Sequence, residues 1–318
     1  MIEVKHLVKR YGNNLAVSDL SFTIEKGRIY GFLGPNGAGK STTMNIMTGC
    51  LAATGGQVLI DGYDIFEQAD KAKKLIGYLP EHPPVYLDRT PTEYLTFVGN
   101  AKGLKGAKLK QEITRVMEVT QITHMKDRLI GHLSKGYRQR VGIAQAILGD
   151  PEVIILDEPT VGLDPMQIKE IRAVITELGK DHTVILSSHI LSEVQAVCQT
   201  IMIINGGKLI AMDTPENLEK QFAGDTVIEL TALTGEKEAM EILQQVENVQ
   251  LISSKEENRC FSAQLRLTNE DERGACRAIS KGFMEAGVLV VKLNPAHASL
   301  EDVFIRLTAE ASINKEVR

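Results

Sequence analysis

Residues 1–215 predict an α/β domain on a largely parallel sheet, and residues 216–318 predict a smaller α+β unit. Three observations carry that division. As far as Met212, short β-branched and aliphatic runs alternate with amphipathic stretches. A glycine-rich loop separates one such run from a helical stretch. After Asp213-Thr214-Pro215, which is turn chemistry, a helix leads into the order β-α-β-β-α-β, the signature of a ferredoxin-like unit. The 318 residues accommodate one large domain or two.

Along the chain, strands are expected at 28–33, 76–79, 153–156, 183–188 and 201–204, all rich in Ile, Val and Leu. Alternation over 2–7, 20–24 and 56–60 reads instead as a half-buried antiparallel subdomain. Strand signals stop between Thr90 and His132. There Thr90-Pro91-Thr92-Glu93 reads as a capping box with Pro at the first helical position, and helical periodicity continues over 94–98 and 113–119. The α/β domain is thus expected to carry a helical insert over about 82–150. In the second unit, strands are expected at 226–230, 249–253, 260–267 and 288–293, helices at 236–246 and 271–286, and a closing helix at 300–307.

Composition excludes several classes. Hydrophobic residues make up 43% and charged residues 24%, ordinary values for a globular chain, so disordered and fibrous classes are out. Aromatic content is 5% with no Trp, which leaves the core to Ile, Leu, Val, Ala and Met. A net charge of -5 argues against a broad nucleic-acid surface, and no nucleic-acid partner is expected. The four cysteines are scattered, with no C-x-x-C pair, so neither a disulfide framework nor a zinc site is indicated. No run reaches the ~18–20 apolar residues of a spanning helix. Charges at Glu3, Lys5 and Lys9 leave no secretory h-region. A cytoplasmic chain is expected, its membrane role, if any, exercised through a separate subunit.

The glycine-rich loop is Gly34-Pro35-Asn36-Gly37-Ala38-Gly39-Lys40-Ser41, which fits G-x-x-x-x-G-K-[ST] between a strand and a helix. Glycines permit positive φ and remove Cβ atoms, so successive amides converge on phosphate oxygens. The helix N-terminus adds partial positive charge. Lys40 is placed to bridge the β- and γ-phosphates, Ser41 to ligate Mg²⁺, and Thr42 follows them into the first helical turn. A second motif, Val153 to Glu158, is an apolar strand that ends in two carboxylates. Beside a phosphate loop, Asp157 is the residue type that holds Mg²⁺ and Glu158 the type that polarises an attacking water. Alone, the same run reads equally as a buried strand followed by an acidic turn.

A third motif, Leu133-Ser134-Lys135-Gly136-Tyr137-Arg138-Gln139-Arg140, resembles the L-S-G-G-Q signature of ATP-binding cassette (ABC) ATPases and lies just upstream of the acidic strand. The resemblance covers about 2–212. It implies a P-loop NTPase fold of ABC type, with a mixed sheet core, an antiparallel β subdomain and a helical insert. It also assigns Tyr11 to adenine stacking, Gly162-Leu163-Asp164 to the D-loop and His189 to γ-phosphate contact. The cofactors implied are ATP and Mg²⁺, the latter held by Ser41, Asp157 and Glu81. Two such domains would meet head to tail, one supplying Tyr11, the loop, Glu81, Asp157, Glu158 and His189, the other Ser134, Gly136 and Asp164.

Two motifs depart from the family pattern. Lys135 and Tyr137 replace the first glycine and the glutamine of the signature, and Glu81 stands where many relatives carry a glutamine. An ionised carboxylate ligates Mg²⁺ but donates no hydrogen bond. Both departures, together with Ala298 to Phe304, resemble the subfamily that powers type-2 exporters, including drug-resistance and gliding-associated systems. That implies a transport ATPase bound to the inner face of the membrane through an integral-membrane permease on another chain. Two alternatives remain at this level. One is a soluble ABC ATPase in assembly, repair or regulation; the other is an importer ATPase whose C-terminal unit senses a ligand. In the latter reading the second unit is a regulator; otherwise it is a dimer-stabilising or docking appendage.

Overall fold

The computed structural model describes residues 1–222, 227–257, 260–268 and 271–296, together with Glu301 and Phe304. Strands β1 (Ile2–Tyr11) and β2 (Asn14–Ile24) form an antiparallel hairpin. Both run longer than their alternation predicts. His6 and Asp19 adopt left-handed backbone, with φ of 48° and 53°, and the register shifts around them. These bulges break the two-residue period, so the continuous strands read as shorter pieces in sequence. His6 Nδ1 lies 2.8 Å from Asp19 Oδ1 across the pair.

β3 (Ile29–Leu33) is buried throughout and leads through the glycine-rich loop into α1 (Lys40–Met47). β4 (Gly55–Ile60) and β5 (Tyr63–Asp64) return to the hairpin and complete a four-stranded antiparallel sheet, β2-β1-β4-β5. The short α2 (Ala69–Ala72) precedes β6 (Ile76–Leu79).

The helical insert follows, as α3 (Pro91–Ala101), α4 (Gly106–Val119) and α5 (Lys135–Ile147). α3 starts at the expected capping box: Thr90 Oγ1 accepts the Glu93 N–H and the Glu93 carboxylate accepts the Thr90 N–H. Then come β7 (Val153–Leu156), α6 (Pro165–Leu178), β8 (Thr183–Ser188), α7 (Leu191–Gln195), β9 (Thr200–Asn205) and β10 (Lys208–Asp213). The central sheet has the order β10-β9-β3-β8-β7-β6, with β10 antiparallel to β9 and every other pair parallel. β3, β7 and β8 bury every residue, which explains why they read as unbroken apolar runs. The main core joins the inner face of the antiparallel sheet (Ile2, Leu7, Phe22, Val58) to one face of the central sheet (Tyr30, Phe32, Ile155, Ile185) and to Met44 of α1. Phe22 meets Phe32 edge to face, with ring centroids 5.4 Å apart.

The chain separates into two compact units, the first described over 1–215 and the second beginning at Glu216. α8 (Pro215–Phe222) spans that point. The second unit consists of β11 (Val227–Ala232), α9 (Glu236–Leu243), β12 (Val249–Glu257), β13 (Cys260–Leu267), α10 (Glu272–Glu285) and β14 (Val290–Ala296). Its sheet order, β12-β13-β11-β14, is antiparallel throughout, the split arrangement of a ferredoxin-like unit. Its core packs Ile228, Leu230, Phe261 and Leu265 of the sheet against Ile242, Ile279 and Phe283 of the helices. The expected helix at 300–307 lies outside the described residues except for Glu301 and Phe304.

So small a unit has little core to spare. Phe283 is fully buried, and Phe283→Ala should destabilise the second unit by about 3–5 kcal/mol. In chemical denaturation this appears as an early transition belonging to that unit.

Candidate active site

The glycine-rich loop closes over the carboxyl end of β3. Gly39 is the N-cap of α1, with φ of 102°, and a Cβ there would lie 2.6 Å from the Ala16 carbonyl oxygen. Only glycine fits on both counts. Gly39 also brings no side-chain cap, so the first amides of α1 are left for an external acceptor. The loop is braced from behind: the Gly207 N–H donates to the Ala38 carbonyl at 2.9 Å, and the Ser18 N–H to the Gly207 carbonyl at 2.8 Å.

Lys40 is buried beneath the loop. Its ammonium donates to the carbonyls of Gly34 and Pro35 at 2.8 and 3.3 Å and lies 3.7 Å from Glu158 Oε1. Burial lowers its pKa below the ordinary lysine value, against the pull of the Glu158 and Asp157 charges.

β7 delivers the two carboxylates to different environments. Asp157 is buried, and its Oδ1 accepts from the Ser187 hydroxyl at 2.6 Å and the Ser41 hydroxyl at 3.2 Å. Burial pushes this carboxyl up, the two serine hydroxyls pull it partly back, and the Glu81 charge pushes it up again. Glu158 turns the chain sharply with φ of 48°, and its N–H donates to Ser187 Oγ at 2.8 Å. That turn carries its carboxylate back to Lys40 and to His189, whose Nδ1 lies 3.0 Å from Glu158 Oε2.

These groups share an open cleft of about 520 Å³. Its wall comprises Tyr11, Asn36, Gly37, Ala38, Gly39, Lys40, Ser41, Thr42, Glu81, Glu158 and His189, joined by Asn14, Ala16 and Val161. Tyr11 is half exposed at its rim. Gly34, Pro35 and Asp157 contact wall residues from behind. Ser134, Gly136 and Asp164 are not part of this wall. They form a second cluster: Ser134 caps α5, Asp164 caps α6 by accepting the Gln167 N–H at 2.9 Å, and Gly136 packs against Gln167. A Cβ at Gly136 would lie 2.7 Å from the Gln167 side chain.

Two positioning residues were missed in the sequence. Ser187 serves both Asp157 and the Glu158 amide. Glu193, buried on α7, accepts from the hydroxyls of Thr160 and Ser188 and so ties the segment after Glu158 to the segment before His189. The one available signal was Ser187-Ser188 ending an otherwise apolar strand. Nothing local marks Glu193.

A family model described as ABC transporter matches residues 17–161. The bacitracin transport ATP-binding protein BcrA of Bacillus licheniformis is 35% identical over 317 residues, spanning 98% of this chain and 99% of that protein. The linearmycin resistance ATP-binding protein LnrL of Bacillus subtilis is 37% identical over 232 residues, 73% of this chain and 75% of that protein. Among solved structures, an ATP-binding subunit of an ABC transporter superposes with a TM-score of 0.64 at 30% identity, covering 70% of this chain and 93% of that one.

The folded-state pKa of Asp157 stands above its unfolded value, so in that window the folded chain binds more protons. Stability then falls as pH rises through it. Asp157→Asn should remove this cost and raise the nucleotide-free melting temperature at pH 7. The gain over the native chain should shrink as the pH approaches the carboxylate range, which a series of calorimetric scans measures.

Proposed function

This chain belongs to the ABC transporter ATP-binding proteins, and from that premise we propose a head-to-tail pair of chains driving an exporter. The subunit is an ATPase that energises a transporter. One observation carries the paired arrangement: the cleft that holds Lys40, Glu158 and His189 lacks Ser134, Gly136 and Asp164 of its own chain. Ser134 and Gly136 open α5, whose N-terminus, capped by a neutral hydroxyl, carries partial positive charge that favours phosphate, and Asp164 opens α6. A second copy turned head to tail supplies them.

The loop amides and Lys40 bind the β- and γ-phosphates, which requires the Lys40 ammonium to leave the Gly34 and Pro35 carbonyls. Tyr11 offers its exposed ring to the adenine. Ser41 and Asp157 fit a magnesium ion: both are oxygen donors, converging within 3.2 Å of one another, and Glu81 stands on the same cleft wall. Among the described residues no group of three or more His, Cys, Asp and Glu could hold a metal by itself. That matches an ion completed by phosphate oxygens and water. When bound there, Mg²⁺ neutralises charge on the transferring phosphoryl group. Glu158 orients the attacking water and accepts its proton, and His189 contacts the γ-phosphate while holding the Glu158 carboxylate.

No helix among the described residues is long and apolar enough to cross a membrane. Coupling to a permease therefore falls to a surface. In the helical insert the Tyr86 ring lies 5.6 Å from both Tyr94 and Phe97, with Tyr86 and Phe97 about half exposed. This aromatic groove, edged by Asp88, Arg89 and Glu93, suits an amphipathic cytoplasmic helix of the permease. That contact would hold the subunit on the inner face of the membrane. The relatives' bacitracin transport and linearmycin resistance support outward movement of an antibiotic as the cargo class. The ferredoxin-like unit is assigned an accessory, partner-docking part.

Glu158→Gln should bind ATP normally, hydrolyse it about 10²–10⁴-fold more slowly, and accumulate as an ATP-bound dimer in size-exclusion chromatography. Turnover at the native rate would remove Glu158 as the base. Lys40→Ala should lose nucleotide affinity itself in a binding titration.

A further inference from the structure

Tyr11, at the rim of the cleft, is held from behind. It is the last residue of β1, and the Lys9 ammonium lies over its ring, 5.1 Å from the centroid. The same ammonium donates to the Ala52 carbonyl at 2.8 Å. Residues 52–54 run beside the end of β1: the Thr54 N–H donates to the Val8 carbonyl at 2.8 Å, and the Arg10 N–H to Thr54 Oγ1 at 3.0 Å. The segment is tied in turn to α1, where the Asn45 carbonyl accepts the Leu51 N–H at 3.0 Å. Lys9 thus joins the ring to the chain that leaves the phosphate-loop helix.

Tyr11 belongs to the cleft wall and Lys9 does not. The ammonium therefore backs the ring from outside the cleft, and the exposed remainder of the ring opens on it. A half-exposed ring loses freedom when a base stacks on it, and a cation that fixes the ring beforehand lessens that cost. The face of an aromatic ring also carries negative charge, so rings stacked squarely repel one another; an ammonium behind one of them offsets that repulsion. We propose that Lys9 is a positioning residue for the nucleotide base: it orients Tyr11 and strengthens stacking on the open face of that ring, without itself touching the nucleotide. The proposal rests on the adenine reading of Tyr11 given above and extends it to the group that holds the ring.

The test compares two ligands on the full chain by equilibrium titration in excess Mg²⁺: a non-hydrolysable ATP analogue, and inorganic tripolyphosphate, which has no base to stack. The ratio of the two affinities isolates the base. In Lys9→Met that ratio should fall about two- to fivefold, with tripolyphosphate affinity unchanged, which also shows that the phosphate loop is intact. Lys9→Arg, whose guanidinium also stacks on aromatic faces, should keep the native ratio. Tyr11→Ala should lower the ratio further than Lys9→Met, and adding Lys9→Met to it should cost nothing more. A native ratio in Lys9→Met, or an equal loss for both ligands, overturns the proposal while a lowered ratio in Tyr11→Ala leaves the adenine reading standing. A native ratio in Tyr11→Ala overturns that reading and the proposal together.

Discussion

β3, β8 and β7 run parallel and side by side, with Leu33 opposite Ser188 and Leu156 opposite Leu186. Their carboxyl ends therefore stop at one level, and the groups that line the cleft leave from there. β3 releases the phosphate loop, β7 the Asp157–Glu158 pair, β8 the Ser187–His189 segment; β6, beside β7, releases Glu81. A one-residue slip in any of these pairings would turn buried side chains to the opposite face. Because β3, β7 and β8 are buried throughout, the register is held by the same apolar packing that stabilises the sheet. Core and site are thus one constraint.

What the sheet brings together is electrostatically costly. Asp157, Glu158 and Lys40 are all buried, and buried charge is tolerated only when paired or hydrogen-bonded. The nucleotide-free cleft answers this internally. Lys40 leans on Glu158 and the loop carbonyls, and Asp157 takes two serine hydroxyls. Phosphates that engage Lys40 must break part of that arrangement, so binding exchanges one set of contacts for another.

The legible parts of this molecule were those whose chemistry is local. Gly34 to Ser41, the acidic end of β7, the capping box at Thr90 and the β-α-β-β-α-β order were all readable, because each depends on residues close in sequence. The long bulged strands were only partly readable. His6 and Asp19 interrupt the period of two, and a bulge is visible only once the partner strand is known. Ser187 and Glu193 were missed because their partners lie 29 to 33 residues away, apart from Ser188. No spacing rule covers contacts made by neighbouring strands and loops.

In the proposed head-to-tail pair, the split between the two clusters couples hydrolysis to movement. A cleft with all its phosphate ligands on one chain gives nucleotide no means of drawing two chains together. Here the loop, the carboxylates and His189 lie on one face, while the amides capped by Ser134 and Asp164 open a separate pair of helices. In the proposed pair, a γ-phosphate held between the two clusters meets the partial positive charge at the N-terminus of α5, whose cap is a neutral hydroxyl. That favours closure only while the phosphate is present. Gly136 lets the second cluster pack tightly against Gln167, where a Cβ would displace the Gln167 side chain. The geometry of the cap is therefore set within one chain, and in the proposed pair loss of the γ-phosphate removes the attraction between chains without disturbing either half.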